Sequence, residues 1–398
     1  MRIEKNNIFL GIDWILVILY LALVSFGWMN IYAASLTENS TSVFDFSTRY
    51  GKQLLWIALS VPLIILVLFF NAKFYEKFAS IFYLGSILLL AGLFVVGKNI
   101  NGATSWYNFG GMSLQPSEFA KAFTALAVAK LLSDKQYNLK LIKNQIKAFI
   151  IIFLPAFFIA LQPDLGSVLV YLSFFFVLNR EGLTLNYTLF GSLAIVLFLV
   201  TLLFGPTLII AVVFSIITIL LFFFLKRNKG YLKFNWHKIT AIYVVLALFI
   251  FSTSYTYNNL FEQHHRDRFD ILLGISKDTK KIGYNTQQSV QAISSGGLFG
   301  KGYLQGDRTQ GKFVPEQDTD YIFSAIGEEW GFLGTSFVII LFMLLLYRII
   351  YLAETHKNKF GRIYGYGLAS ILFFHLVINV GMVIQLLPTV GILSLIHI

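Results

Sequence analysis

Cysteine is missing altogether, and charge is scarce: 13% of the 398 residues are Asp, Glu, Lys or Arg, against roughly 25% in ordinary soluble domains. The first absence excludes disulfides, a thiolate metal site and a thiol nucleophile. The second, beside a hydrophobic share of 57%, excludes a soluble fold, because a chain of this size cannot hide so much apolar surface. Other signatures are absent too. There is no Gly-x-x-x-x-Gly-Lys-Ser/Thr phosphate loop and no Gly-x-Ser-x-Gly elbow. The six histidines, His375 among them, follow no zinc spacing. No internal repeat or low-complexity tract is found. A net charge of +11 does not imply nucleic-acid binding, because the inner loops of membrane proteins collect lysine and arginine.

What is present is a series of long apolar runs. A bilayer core takes roughly 20 apolar residues per helix, which predicts an all-α, polytopic transmembrane bundle. Spans are expected near 14–34, 53–70, 78–96, 117–133, 148–161, 164–178, 187–204, 207–225, 239–255, 321–347 and 364–382. The first run is too long for a signal-peptide core and reads as a retained span. With the N-terminus inside, the inner segments hold 18 lysines and arginines, and the short outer segments hold 3: Arg49, Lys52 and Lys98. That bias orients the chain with the 256–320 loop outside. The loop balances eight cations with eight carboxylates, so it is not a polybasic membrane-binding tail. Its core, Gly283 to Asp320, mixes glycines, amides and charges with Val290, Ile293, Leu298, Phe299 and Phe313. The mixture predicts an ordered, packed loop, of the kind that in compact proteins is usually functional.

Four groups of residues could carry chemistry. Pro315-Glu316-Gln317-Asp318-Thr319-Asp320 precedes a span; it reads as an ordinary helix cap or as a general base at the membrane boundary. Ser294 to Tyr303, with Gly296, Gly297 and Lys301, reads as plain turn chemistry or as an anion-binding nest. Glu118 and Lys121 lie three apart on one helical face within a span. Charges there are costly and face the bundle interior or a cavity; a structural ion pair is the alternative. Asp164, in Gln162-Pro163-Asp164-Leu165-Gly166, caps a helix or lines a polar cavity. Glu328 and Glu329 are further acids within a span.

Together these blocks resemble the SEDS family (shape, elongation, division and sporulation proteins). The resemblance rests on Gly102-Ala103 to Trp106, Gln115-Pro116-Ser117-Glu118-x-x-Lys121, Gln162 to Gly166, and Gln288-Ser289 to Gly302. It continues through Phe313-x-Pro315-Glu316-x-x-Thr319-Asp320, Gly327-Glu328-Glu329-x-Gly331, and Asn379-x-Gly381-Met382 to Leu387-Pro388-Thr389. These lie in family order along most of the chain, and the Gly-Lys-Gly and Pro-Glu blocks are more like the family's RodA branch than its FtsW branch.

The resemblance implies a single membrane domain over 1–398. It implies a peptidoglycan glycosyltransferase of the cytoplasmic (inner) membrane that polymerises lipid II, a disaccharide-peptide on undecaprenyl diphosphate, at the outer face during cell elongation. Its implied partners are a class B penicillin-binding protein (a transpeptidase) and other elongation-complex membrane proteins. Asp320 matches the family's key loop aspartate, Glu118 and Lys121 its intramembrane pair, and Asp164 its span-six acid. Substrate binding is expected of Arg49, Trp106, Gln115, Ser289, Gly296, Gly297, Lys301, Arg308, Glu316 and Thr319. Asp318 stands where many relatives have His, which makes the site more acidic and a Mg²⁺ or Mn²⁺ ion on Asp318 and Asp320 an expectation. The alternatives are a lipid II flippase or transporter, a division-type polymerase and a non-catalytic scaffold. Two departures are expected: an extra helix pair with a basic inner loop at 187–238, and the absence of the loop and last span that in relatives follow Gly391-Ile392.

Overall fold

The computed structural model describes residues 11–36, 42, 44–100, 103–109, 112–227, 231–261, 263–273, 275 and 282–389. The residues after Gly391, where the family's last loop and span are expected, lie outside the described residues.

Each of the eleven expected spans is helical. They are α1 (Trp14–Ser35), α2 (Arg49–Phe69), α3 (Ala72–Val96), α4 (Pro116–Ser133), α5 (Ile142–Ala160), α6 (Leu165–Val170) running through a tight turn into α7 (Phe174–Arg180), α8 (Asn186–Phe204), α9 (Pro206–Arg227), α10 (Tyr231–Tyr255), α14 (Ile322–Thr355) and α15 (Lys359–Val383). Among the described residues, nine of these are long and apolar enough to cross a membrane. The other two are α4, with Glu118, Lys121 and Lys130, and the short Leu165–Arg180 run.

The 256–320 loop is more regular than its sequence indicates. It holds α11 (Gln263–Leu272), α12 (Ile282–Gly296) and α13 (Asp307–Gln310). The all-α expectation misses one small sheet between α3 and α4: β1 (Lys98–Ile100), β2 (Ala103–Phe109) and β3 (Met112–Leu114), antiparallel in the order β1-β2-β3. It is tied to the α5–α6 turn where the Thr104 N–H donates to the Gln162 carbonyl at 3.3 Å.

Contacts gather into two compact units, 1–183 with 284–398, and 184–283. In the second, three successive helices pack chiefly on one another, α10 against α8 and α9, and Tyr257 donates to Asp270 at 2.5 Å. The first unit holds the candidate residues. Here α4 packs between α3 and α15, while α14 packs on α15 and α1. Apolar side chains such as Leu90, Ile152, Phe174 and Ile322 fill its interior, and rows of exposed Leu, Ile and Phe on α2 and α3 face outward. In lipid, such helices associate by close packing and interhelical hydrogen bonds rather than by hydrophobic burial. Interior polar side chains therefore carry much of the specificity.

Candidate active site

Two polar clusters lie at the end of the first unit that carries the sheet and residues 284–320. The deeper one is built on α4. Pro116 at its first turn needs no N–H there, and Gln115 just before it donates to Asp164 Oδ2 at 2.9 Å. Asp164 is buried and caps α6, accepting from the Ser167 N–H at 3.1 Å. One turn into α4, Lys121 is 1% exposed. Its Nζ lies 2.8 Å from Glu118 and 2.7 Å from Nε2 of His375, on α15. The charges of Lys121 and Glu118 both act on Asp164, so Glu118, Lys121, Asp164 and His375 form one group, buried except for the partly exposed Glu118.

The second cluster surrounds Asp320, at the foot of α14. Arg49 Nη1, on α2, is 3.0 Å from Glu316 and 2.6 Å from Asp318, and the charge of Asp320 also acts on it. Thr319 closes the turn by donating to Glu316 at 3.2 Å. Burial holds the Asp318 carboxyl above the usual carboxylate range, opposed by the Arg49 charge. Gln317, buried, ties this segment to α1 by donating to the Ala34 carbonyl at 2.9 Å. Asp320 is half-buried, and its carbonyl accepts from Asn379 Nδ2 at 3.2 Å.

Helix α15 joins the two clusters. His375 and Asn379 are four residues apart, on one helical face, with a rise of roughly 6 Å between them. One contacts Lys121 and the other the Asp320 backbone. Neither carries a role in the sequence reading, although two polar residues at this spacing on an apolar helix are a legible signal.

Several expected substrate contacts are taken up by the protein itself. In the glycine segment the Gly300, Lys301 and Gly302 N–H groups donate to the carbonyls of Gly296, Glu328 and Glu329 at 2.8, 3.0 and 3.0 Å. These three amides of the expected anion nest are therefore engaged by carbonyls of α12 and α14. Lys301 Nζ engages Glu328 at 2.8 Å and Asp307 at 3.0 Å, and the Glu328 bond raises its pKa above the ordinary lysine value. Glu328, 0% exposed, also accepts from the Arg308 and Thr309 N–H groups at 3.0 and 2.8 Å. It is a structural anchor for residues 301–309. Glu329, next to it, is also buried. The Arg308 guanidinium bonds Gln288. Ser289 is fully buried and donates to the Val383 carbonyl at 3.1 Å. Gly296 is buried, Gly297 exposed, and Trp106 half-buried in β2.

A bundle of apolar helices with an interior Lys-Glu-His group, and an acidic turn reached by the same helix, defines a polytopic membrane protein with a built polar centre. A family model described as "cell cycle protein", spanning the FtsW, RodA and SpoVE proteins, matches residues 13–204 and 181–396. The chain belongs to this family. Peptidoglycan glycosyltransferase RodA of Treponema pallidum is 31% identical over 403 residues, covering 96% of this chain and 91% of the relative. Peptidoglycan glycosyltransferase MrdB of Escherichia coli K12 is 31% identical over 382 residues, covering 96% and 86%. Among solved structures, a chain from a peptidoglycan synthase complex, concerned with the coordination of polymerization and crosslinking, has a TM-score of 0.68 at 25% identity, covering 98% of this chain and 92% of that one. The rod shape determining protein RodA of Thermus thermophilus has a TM-score of 0.60 at 25% identity, covering 97% and 89%.

Proposed function

We propose that this chain is a peptidoglycan glycosyltransferase that polymerises lipid II at the outer face of the cytoplasmic membrane during cell elongation, with Asp320 as general base. The observation that carries the site is the bridge along α15, where His375 reaches Lys121 and Asn379, about one helical turn on, reaches the Asp320 carbonyl. Glycosyl transfer from a lipid diphosphate needs a base on the acceptor 4-hydroxyl and positive charge beside the departing diphosphate. Asp320, half-buried at the membrane boundary, would take the proton as the acceptor oxygen attacks the donor anomeric carbon, a contribution on the order of 10²–10⁴ in rate. Lys121 would face the leaving oxygens. Its ammonium has three N–H groups, and Glu118 and His375 leave at most one of them for a ligand. Glu118 therefore orients the charge rather than adding to it. Asp164 and Gln115 line the same group.

Asp320 and Asp318 are the residues that would hold a divalent cation, which would add charge beside the diphosphate. Among the described residues no cluster of three or more His, Asp or Glu could hold a metal alone, and Asp318 is paired with Arg49 at 2.6 Å. The pair would suit a Mg²⁺ or Mn²⁺ ion held by one or two carboxylates and by the substrate phosphates. A class B penicillin-binding protein, acting as the crosslinking transpeptidase, is the proposed partner. The likeness to a chain of a complex that coordinates polymerization and crosslinking supports it.

Purified chain mixed with lipid II, with no other enzyme, tests the reading. Glycan polymer is expected from the wild type and none from Asp320→Asn at equal expression. Near-normal polymer from that variant would refute the base. Movement of lipid II across liposomes without polymer would point to a flippase instead.

A further inference from the structure

His375 is 1% exposed and lies on α15, the helix that also reaches the Asp320 backbone through Asn379. We propose that His375 is a positioning residue that holds the Lys121 ammonium toward the leaving diphosphate; this rests on the reading of Lys121 given above. An ammonium has no lone pair. At 2.7 Å from Lys121 Nζ, Nε2 must therefore be the acceptor, which makes the ring neutral with its hydrogen on Nδ1.

The two partners of Lys121 do different things. Glu118 sits one turn earlier on the same helix, so it moves with Lys121 and cannot fix the ammonium relative to anything outside α4. His375 belongs to α15, and α15 also holds Asp320 through Asn379. His375 thus sets the distance between the cation and the base. A lysine stem has many accessible rotamers, so without that second anchor the head would sample positions away from the reacting atoms. Misplacement of a catalytic group by 1 Å can cost about 10²-fold in rate.

The test measures lipid II polymerisation by the purified full chain, normalised to folded monodisperse protein, for the wild type, His375→Phe, His375→Leu, His375→Gln and Lys121→Met. Both apolar variants should lose about 10²-fold in kcat with little change in KM. His375→Gln, whose amide oxygen can accept from the ammonium, should recover most of the rate. Wild-type kcat in either apolar variant overturns the proposal. Equal loss in Phe, Leu and Gln also overturns it, because the side chain would then only fill space. An inactive Lys121→Met beside an active His375→Phe removes this inference alone. A fully active Lys121→Met, or a wild-type chain that makes no polymer, removes the reading beneath it.

Discussion

Asp318 is the residue whose environment makes the clearest pH prediction. Its carboxyl is held above the ordinary range, chiefly by burial, while Arg49 pulls it down. The folded state therefore keeps a proton over an interval in which the unfolded chain, with a carboxyl near pKa ~3.9, has released it. Where the native state binds more protons, stability falls as pH rises. Asp318 accordingly costs stability as pH climbs from its unfolded value through its folded one, and costs nothing below both. Asp318→Asn should flatten the melting temperature across that interval. Arg49→Ala, by removing the opposing charge, should move the interval to higher pH. Thermal unfolding in detergent from about pH 4 to 7 measures both effects; a wild type and Asp318→Asn with parallel profiles would refute the assignment. The same residues say why the site is acidic yet not repulsive: Arg49 sits between Glu316 and Asp318.

At the scale of elements, the break in α14 is the feature that residues 296–309 depend on. Gly331 has φ 63° and ψ −158° inside an otherwise helical run, a conformation that L side chains rarely adopt. A Cβ there would lie 2.3 Å from the Gly300 nitrogen. Just past the break, the Phe332 and Leu333 N–H groups donate to the Gly297 and Leu298 carbonyls at 2.9 and 3.1 Å. Gly331→Ala should lower stability by about 1–3 kcal/mol, the usual cost of such backbone strain, or more where the contact cannot relax. It should also expose residues 297–302 to hydrogen exchange. Wild-type melting and exchange would show that the break is incidental.

The spans themselves are legible because each is a long apolar run. Helix α12 is not, because its buried face is Thr286, Ser289, Ala292 and Gly296. That face has helical spacing but no hydrophobic signal, and small residues let helices approach closely. The β1–β3 sheet is hidden for a different reason: two of its strands are three residues long, too short for alternation to register. In the site, Glu118, Lys121, Asp164 and Asp320 stand out as charges among apolar residues, whereas His375 gains its meaning only from a partner 254 positions away.

At the scale of the whole molecule, the function stands or falls on which side of the membrane the Asp320 cluster occupies. On the proposed orientation, which follows the lysine and arginine bias of 18 against 3 in short segments, the β1–β3 sheet, Arg49 and Asp320 would lie outside, where a lipid-linked sugar would be used. The absence of cysteine makes this directly measurable, since any single introduced thiol is the only one in the chain. Ser113, in β3, and Lys140, between α4 and α5, are both exposed and lie before and after α4, at its opposite ends. In intact spheroplasts a membrane-impermeant maleimide should label Ser113→Cys and leave Lys140→Cys untouched until the membrane is permeabilised. The reverse pattern would place Asp320 and the Lys121 group on the cytoplasmic side. An acid there could not act on an acceptor sugar at the exterior leaflet, whatever the geometry around it.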